Sequence, residues 1–188
     1  MSTDTPDWTR IPAPTDDGGA RHLAGTRVPS IALPATDGDA IDLSRLPGRT
    51  VVYAYPRTGK PGIDNPDGWD MIPGARGCSP QSCAFRDHFA ELQRLGATHL
   101  FGLSTQDTAY QAEAAARLHL PFPLLSDARL GLMHAMNLPT MQVAGITLLR
   151  RLTLIIDAGR VTQVFYPVFP PDRNAADVIG WLAAHPSP

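Results

Sequence analysis

The feature that most restricts this chain is a set of β-prone runs with helical segments between them. Val51-Val52-Tyr53-Ala54-Tyr55 is apolar without interruption, the pattern of a strand buried on both faces. His99 to Ser104 (HLFGLS) reads as a second buried strand, and Arg150 to Asp157 (RRLTLIID) as a third. A helix is expected from Ser79-Pro80, with Ser as N-cap and Pro at the first helical position. Phe85, Phe89 and Leu92 give it one apolar stripe, and Gly96 stops it. An Ala-rich helix is expected over 108–118, a short strand over 122–125, and a short helix over 127–136. Residues 160–165 read as the hairpin partner of 150–157 across Ala158-Gly159, and 174–184 as a closing helix. Upstream, residues 30–46 read as a hairpin turning at Asp37-Gly38.

Strands and helices in this order require a sheet covered on both faces. The late antiparallel pair makes that sheet mixed. The expected fold is therefore a thioredoxin-like three-layer α/β/α sandwich with a mixed central sheet and an N-terminal β-hairpin extension. At 188 residues one domain is expected, over 27–188, preceded by an irregular arm over 1–26 that lies on the body through Trp8 and Ile11. A net charge of −2, with Lys60 the only lysine among 16 basic side chains, argues against a nucleic-acid surface. No apolar run approaches the roughly 18–20 residues of a membrane span. The first residues have neither a basic nor an apolar segment, so a cytoplasmic location is the expectation.

Chemistry concentrates on two cysteines, Cys78 and Cys83. Functional residues of such sheets lie beyond the C-terminal ends of strands. The stretch after Tyr55 is such a place and leads to Cys78. A cysteine at a helix start meets unpaired N–H groups and a dipole that favour the thiolate, and Arg76 adds positive charge nearby. Five residues of helix separate two Cα atoms by roughly 8–9 Å, whereas a disulfide spans at most about 7 Å. If both cysteines belong to one helix, they bond only after its first turn unwinds. Spacing alone leaves two readings: a redox pair, or a reactive-looking Cys78 with Cys83 as a small core residue. Zinc is a poor fit, because His88 lies five residues beyond Cys83 and a four-ligand set is lacking.

Several segments resemble the peroxiredoxin family, in its class called peroxiredoxin Q or bacterioferritin-comigratory protein. VVYAYP resembles the family strand ending in Tyr-Pro, and GCSPQSCAFRDHFAEL its helix with two cysteines separated by four residues. LFGLST, FPLLSD and RLTLIID resemble the following strands, and the likeness runs in order over about residues 27–183. The resemblance implies a thiol peroxidase needing no metal, haem or flavin. Cys78 would be peroxidatic, passing through a sulfenic acid. Cys83 would resolve it as an intramolecular disulfide, and Arg151 would stabilise thiolate and peroxide. It implies a peroxide substrate, thioredoxin or a similar dithiol as reductant, and a monomer or weak homodimer. Arg150 would point to the opposite face of its strand as a surface charge. Two rival readings keep the fold: a thiol–disulfide oxidoreductase or redox sensor using the same pair, and a non-catalytic binding module.

The chain departs from that pattern before the first cysteine. The family loop has Pro, three residues, Thr or Ser, two residues, then Cys; here the third position before Cys78 is Ala75, which has no hydroxyl. Residues 57–77 separate Pro56 from Cys78, so about fifteen residues are inserted relative to the pattern. Two repairs are expected as alternatives. Thr58 folds back to orient the peroxide, or Ser79 and the backbone N–H groups of the Gly74–Gly77 turn do so. Trp69, Met71 and Ile72 predict that the insertion packs as a lid or beside a partner rather than standing free in water. Arg86-Asp87 is expected to be a surface or loop-anchoring pair.

Overall fold

The structure is a computed structural model and describes residues 6–187. Two short strands, β1 (Ala32–Pro34) and β2 (Ala40–Asp42), form the N-terminal hairpin. Then come β3 (Arg49–Ala54), α1 (Cys78–Asp87), α2 (Phe89–Arg94), β4 (Ala97–Ser104), α3 (Thr108–Arg117), β5 (Leu124–Ser126) and α4 (Gly131–Met136). A second hairpin, β6 (Thr140–Val143) and β7 (Ile146–Leu149), precedes β8 (Leu152–Asp157), β9 (Arg160–Phe165) and α5 (Asn174–Ala184). The five-stranded sheet runs β5-β4-β3-β8-β9. β3, β4 and β5 are parallel, while β8 is antiparallel to both β3 and β9. This is the mixed, thioredoxin-like sheet expected from the sequence.

The central strand β3 is buried along its whole length, and alternate side chains feed two cores. Val51, Tyr53 and Tyr55 join Phe85, Leu92, Val178 and Leu182 under α1, α2 and α5. Val52 and Ala54 join Phe101, Leu103, Leu125, Leu132 and Leu154 on the side of α4 and the N-terminal hairpin. Tyr53 stacks on Phe85 with ring centroids 4.4 Å apart, which fixes α1 against the sheet. The phenols of Tyr53 and Tyr55 are driven far above the ordinary tyrosine range by burial and stay neutral.

Gly102 shows how tightly that core is filled. A Cβ there would lie 2.5 Å from Leu124 Cδ2 and 2.8 Å from the Tyr53 ring, both fully buried. Gly102→Ala is expected to cost about 1–3 kcal/mol through overpacking, read as a lowered midpoint in urea unfolding.

Three local expectations are corrected. The helix starts two residues earlier than expected: Gly77, not Ser79, is its N-cap, in the left-handed region (φ 104), and Cys78, not Pro80, is its first residue. The single helix expected to run on to Gly96 breaks at His88 into α1 and α2. The β6–β7 hairpin was not expected at all. It turns at Ala144 and Gly145, both at positive φ (50 and 78), the backbone of a tight hairpin turn.

Residues 1–5 of the N-terminal arm lie outside the described residues; from residue 6 on, the arm lies on the body as Trp8 suggested. Its indole Nε1 donates to Asp172 at 2.8 Å, and its ring meets Phe169 edge-on. Further along, Asp17 accepts from the Tyr166 hydroxyl at 2.8 Å, and burial with that bond pushes the phenol up to about 12.

Candidate active site

β3 ends at the C-terminal edge of the sheet, where Tyr55 still donates its N–H to Leu103 at 3.0 Å. Pro56 then turns the chain into the 57–77 segment, which returns to Gly77 and Cys78. That segment is not a free loop. Trp69 and Ala75 are buried with Met141, Val143 and Leu148 of the β6–β7 hairpin, and Ile72 packs beside them. Met71 and Ile63 remain exposed. The unexpected hairpin is thus the surface on which the insertion folds. It also accounts for Ala75: that position is wholly buried in this small core, where a hydroxyl would need a partner.

Cys78 is only 4 % exposed, and its thiol lies 3.6 Å from the carbonyl of Ala75. Arg151, immediately before β8 and 3 % exposed, places Nη2 at 3.3 Å from Cys78 Sγ. The same nitrogen reaches the carbonyls of Gly74, Ala75 and Arg76 at 3.3, 3.3 and 3.1 Å. Arg151 Nη1 donates to Gln81 Oε1. Gln81 in turn donates to Asn174 Oδ1 at 2.9 Å, and Thr153 donates to the same oxygen at 2.7 Å. All three of those side chains are buried. A guanidinium removed from water needs a counter-charge or a full set of acceptors. Among the described residues that bond to Arg151, only Cys78, through Sγ, is able to ionise to an anion.

The first turn of α1 is gripped from outside. A Cβ on Gly77 would lie 2.6 Å from Pro171 Cγ and 2.7 Å from Trp8 Cη2. Only glycine fits there, for space and for its positive φ. Cys83 stands further along the same unbroken helix, half-buried, and both cysteines are free thiols. Burial pushes the Cys83 thiol up, and Arg86 partly opposes the shift. Arg86 itself pairs with Asp87 at 2.8 Å and holds the Leu118 carbonyl at 2.8 Å, the anchoring arrangement expected.

A cleft of about 320 Å³ opens over the sulfur, with Arg57, Asn65, Arg76 and Ser79 among the side chains around Cys78. Thr58 is buried just behind its wall. Its N–H and hydroxyl both donate to Gln106 Oε1, at 2.9 and 3.2 Å, and Gln106 Nε2 returns a bond to the Thr58 carbonyl. No hydrogen bond joins Thr58 to Cys78. The structure therefore brings together Cys78 and Arg151, keeps Cys83 five residues along the helix, and ties Thr58 to Gln106. Arg150 leaves in the other direction, donating to Thr140 O at 2.9 Å.

Sequence reading missed Gln81 and Asn174. Gln81, three residues after Cys78 and so on the same helix face, carried a signal. Asn174 carried none, because only the tertiary fold brings α5 to it.

A cysteine at the head of a helix, facing a buried arginine at the edge of a thioredoxin-like sheet, defines a redoxin, and the Redoxin family profile matches residues 23–179. Peroxiredoxin Q of the chloroplast of Oryza sativa subsp. japonica is 31 % identical over 185 residues, covering 95 % of this chain and 77 % of that protein. The putative peroxiredoxin bcp of Coxiella burnetii is 28 % identical over 165 residues, covering 84 % of this chain and 97 % of that one. The crystal structure of peroxidoxin BcpB from Mycobacterium tuberculosis superposes with a TM-score of 0.69 at 26 % identity, over 87 % of this chain and 97 % of that one. The chain belongs to the redoxin family, among the peroxiredoxins of the Q/bcp kind. As a peroxiredoxin it is a thiol peroxidase, acting on a peroxide at the expense of a thiol reductant.

Proposed function

We propose that Cys78 is the peroxidatic residue and Cys83 the resolving one in a two-cysteine cycle on hydrogen peroxide or small organic hydroperoxides. The Cys78 thiolate attacks the near oxygen of the O–O bond. The bond breaks, the sulfur becomes a sulfenic acid, and the leaving alkoxide or hydroxide takes a proton to give alcohol or water. Cys83 then attacks the sulfenic sulfur, water leaves, and a Cys78–Cys83 disulfide remains. A dithiol protein of the thioredoxin type reduces it and restores both thiols.

The observation that carries this reading is the buried Arg151 whose one anionisable partner among the described residues is Cys78 Sγ, at 3.3 Å. The guanidinium faces the place where negative charge develops as the O–O bond breaks, which is where fixed positive charge speeds the step. Ser79 and the unpaired N–H groups of the first turn line the same cleft and orient the peroxide there. Thr58, committed to Gln106, supports the loop from behind.

The second step needs motion. Both cysteines sit on one continuous helix, so the first turn of α1 must leave its place between Trp8 and Pro171 before the sulfurs meet. One equivalent of hydrogen peroxide is expected to remove two mass units from the intact chain, with a Cys78–Cys83 link in the peptide map. Amide protection over residues 78–84 is expected to fall on oxidation and return on reduction. A stable sulfenic acid with undiminished protection would refute the resolving role. Failure of Cys78 to oxidise, alongside reduction of a protein disulfide, would favour an oxidoreductase instead.

A further inference from the structure

We infer that the cleft over Cys78 selects hydroperoxides carrying a carboxylate, and that Arg57 is the residue that binds it. This rests on the peroxidatic role proposed for Cys78 and names the substrate class of that site.

Two arginines, Arg57 and Arg76, and one carboxylate, Asp70, border the cleft. Arg76 is already neutralised by Asp70 at 2.8 Å. Arg57 has no such partner: among the described residues no carboxylate lies within ion-pair distance of it. Its Nε is buried with no hydrogen-bond partner at all. Yet the side chain is held in place. Its guanidinium sits over the Tyr110 ring, Cζ 5.9 Å from the centroid, with Nη2 3.4 Å from the phenol oxygen. Its backbone is fixed by the bond from Tyr55 to Leu103 just upstream and by the tie between Thr58 and Gln106 just downstream.

An uncompensated guanidinium held in this way is suited to a ligand anion. Its planar fork matches a carboxylate, and the entropy of ordering the arginine is already lost before the ligand arrives. A neutral alkyl hydroperoxide leaves this charge unanswered. The cleft, about 320 Å³, is the size of a small-ligand site. Arg57 and Cys78 line this one cleft, so the substrate we infer is a compact acid that sets its peroxide group at the sulfur and its carboxylate at Arg57.

The test uses a matched pair, cumene hydroperoxide and its para-carboxylate, on the whole reduced chain. The second-order rate of Cys78 oxidation is followed by stopped flow at low ionic strength. Roughly tenfold preference for the carboxylated compound is expected, the effect of one charge-assisted contact, and it should shrink as salt is added. In Arg57→Met the ratio of the two rates is expected to fall to about one, and in Arg57→Lys to be partly kept. Circular dichroism checks that each variant is folded. Equal rates for the two compounds in the unmodified chain would overturn the inference. So would a preference that survives Arg57→Met, or one abolished by Arg76→Met instead. If neither compound nor hydrogen peroxide oxidises Cys78, it is the peroxidase reading that has failed, and this inference falls with it.

Discussion

Cys78→Ser is expected to abolish peroxide consumption, and Cys83→Ser to consume one peroxide per chain and then stop when no small thiol is present. The asymmetry follows from the geometry. Serine at position 78 keeps the bond to Arg151 but offers a hydroxyl far too basic to attack an O–O bond at neutral pH. Serine at 83 leaves Cys78, Arg151 and the cleft as they are, so the first step survives and the sulfenic acid accumulates. Mass spectrometry distinguishes the outcomes: an added oxygen on Cys83→Ser, no change on Cys78→Ser, and a loss of two mass units in the unmodified chain. Equal turnover in all three would remove both cysteines from the mechanism.

The resolving step has a pH dependence whose sign is set by Cys83. Burial in α1 raises its thiol above the ordinary cysteine range. A raised acid favours the folded helix while protonated. That contribution is complete below the ordinary cysteine value, about 8.5, and is lost as pH rises through the folded value. Alkaline solution therefore favours the unwound helix and supplies the Cys83 thiolate together. Disulfide formation after a peroxide pulse is expected to accelerate with pH through and above that value. A rate independent of pH would place the slow step in the separation of Gly77 from Trp8 and Pro171 rather than in sulfur chemistry.

The parts of this molecule that were legible in the chain are those where local chemistry and tertiary packing agree. β3 could be read because its residues from Val51 on are buried on both faces, so no polar face interrupts the apolar run. The Cys78–Cys83 helix and Arg151 were legible because their sequence neighbourhoods resemble a known family. The β6–β7 hairpin was not, because Thr140-Met141-Gln142-Val143 looks like a loop until Ala144 is known to accept a left-handed backbone that alanine rarely adopts. The cap of α1 was misplaced because Ser79-Pro80 carries a good start signal, but contact with Trp8 and Pro171 at Gly77 fixes the real cap two residues earlier. Thr58 was one of two alternatives for the missing hydroxyl, because it has the right functional group in the right loop. Its actual partner, Gln106, comes from the end of β4, and no local pattern links the two. Asn174 is likewise a product of topology, reaching the site only because α5 packs against α1.

Arg151→Met is expected to lower the rate constant for peroxide by about 10²–10³, the usual loss when a preorganised donor to developing charge is removed. Methionine fills much of the same volume, so the cavity left behind is small. What disappears is a positive charge 3.3 Å from Sγ, together with the donor shared by the carbonyls of Gly74, Ala75 and Arg76. Leaving the carbonyls of Gly74 and Arg76 without this donor costs about 1–3 kcal/mol, so a modest drop in unfolding midpoint should accompany the kinetic loss. The two effects are separable. Arg151→Lys keeps the charge but not the fork that spans Gln81 and the sulfur, and should recover part of the rate with little gain in stability. Gln81→Leu keeps Arg151 but removes the acceptor that orients its Nη1, itself aligned by Asn174. Its rate should fall between those of Arg151→Lys and the unmodified chain, and alkylation of Cys78 by iodoacetamide should slow in the same rank order. If Arg151→Met reduces peroxide as fast as the unmodified chain while only its unfolding midpoint falls, the arginine is a structural tie for the 74–76 turn, and the charge facing the sulfur plays no part in breaking the O–O bond.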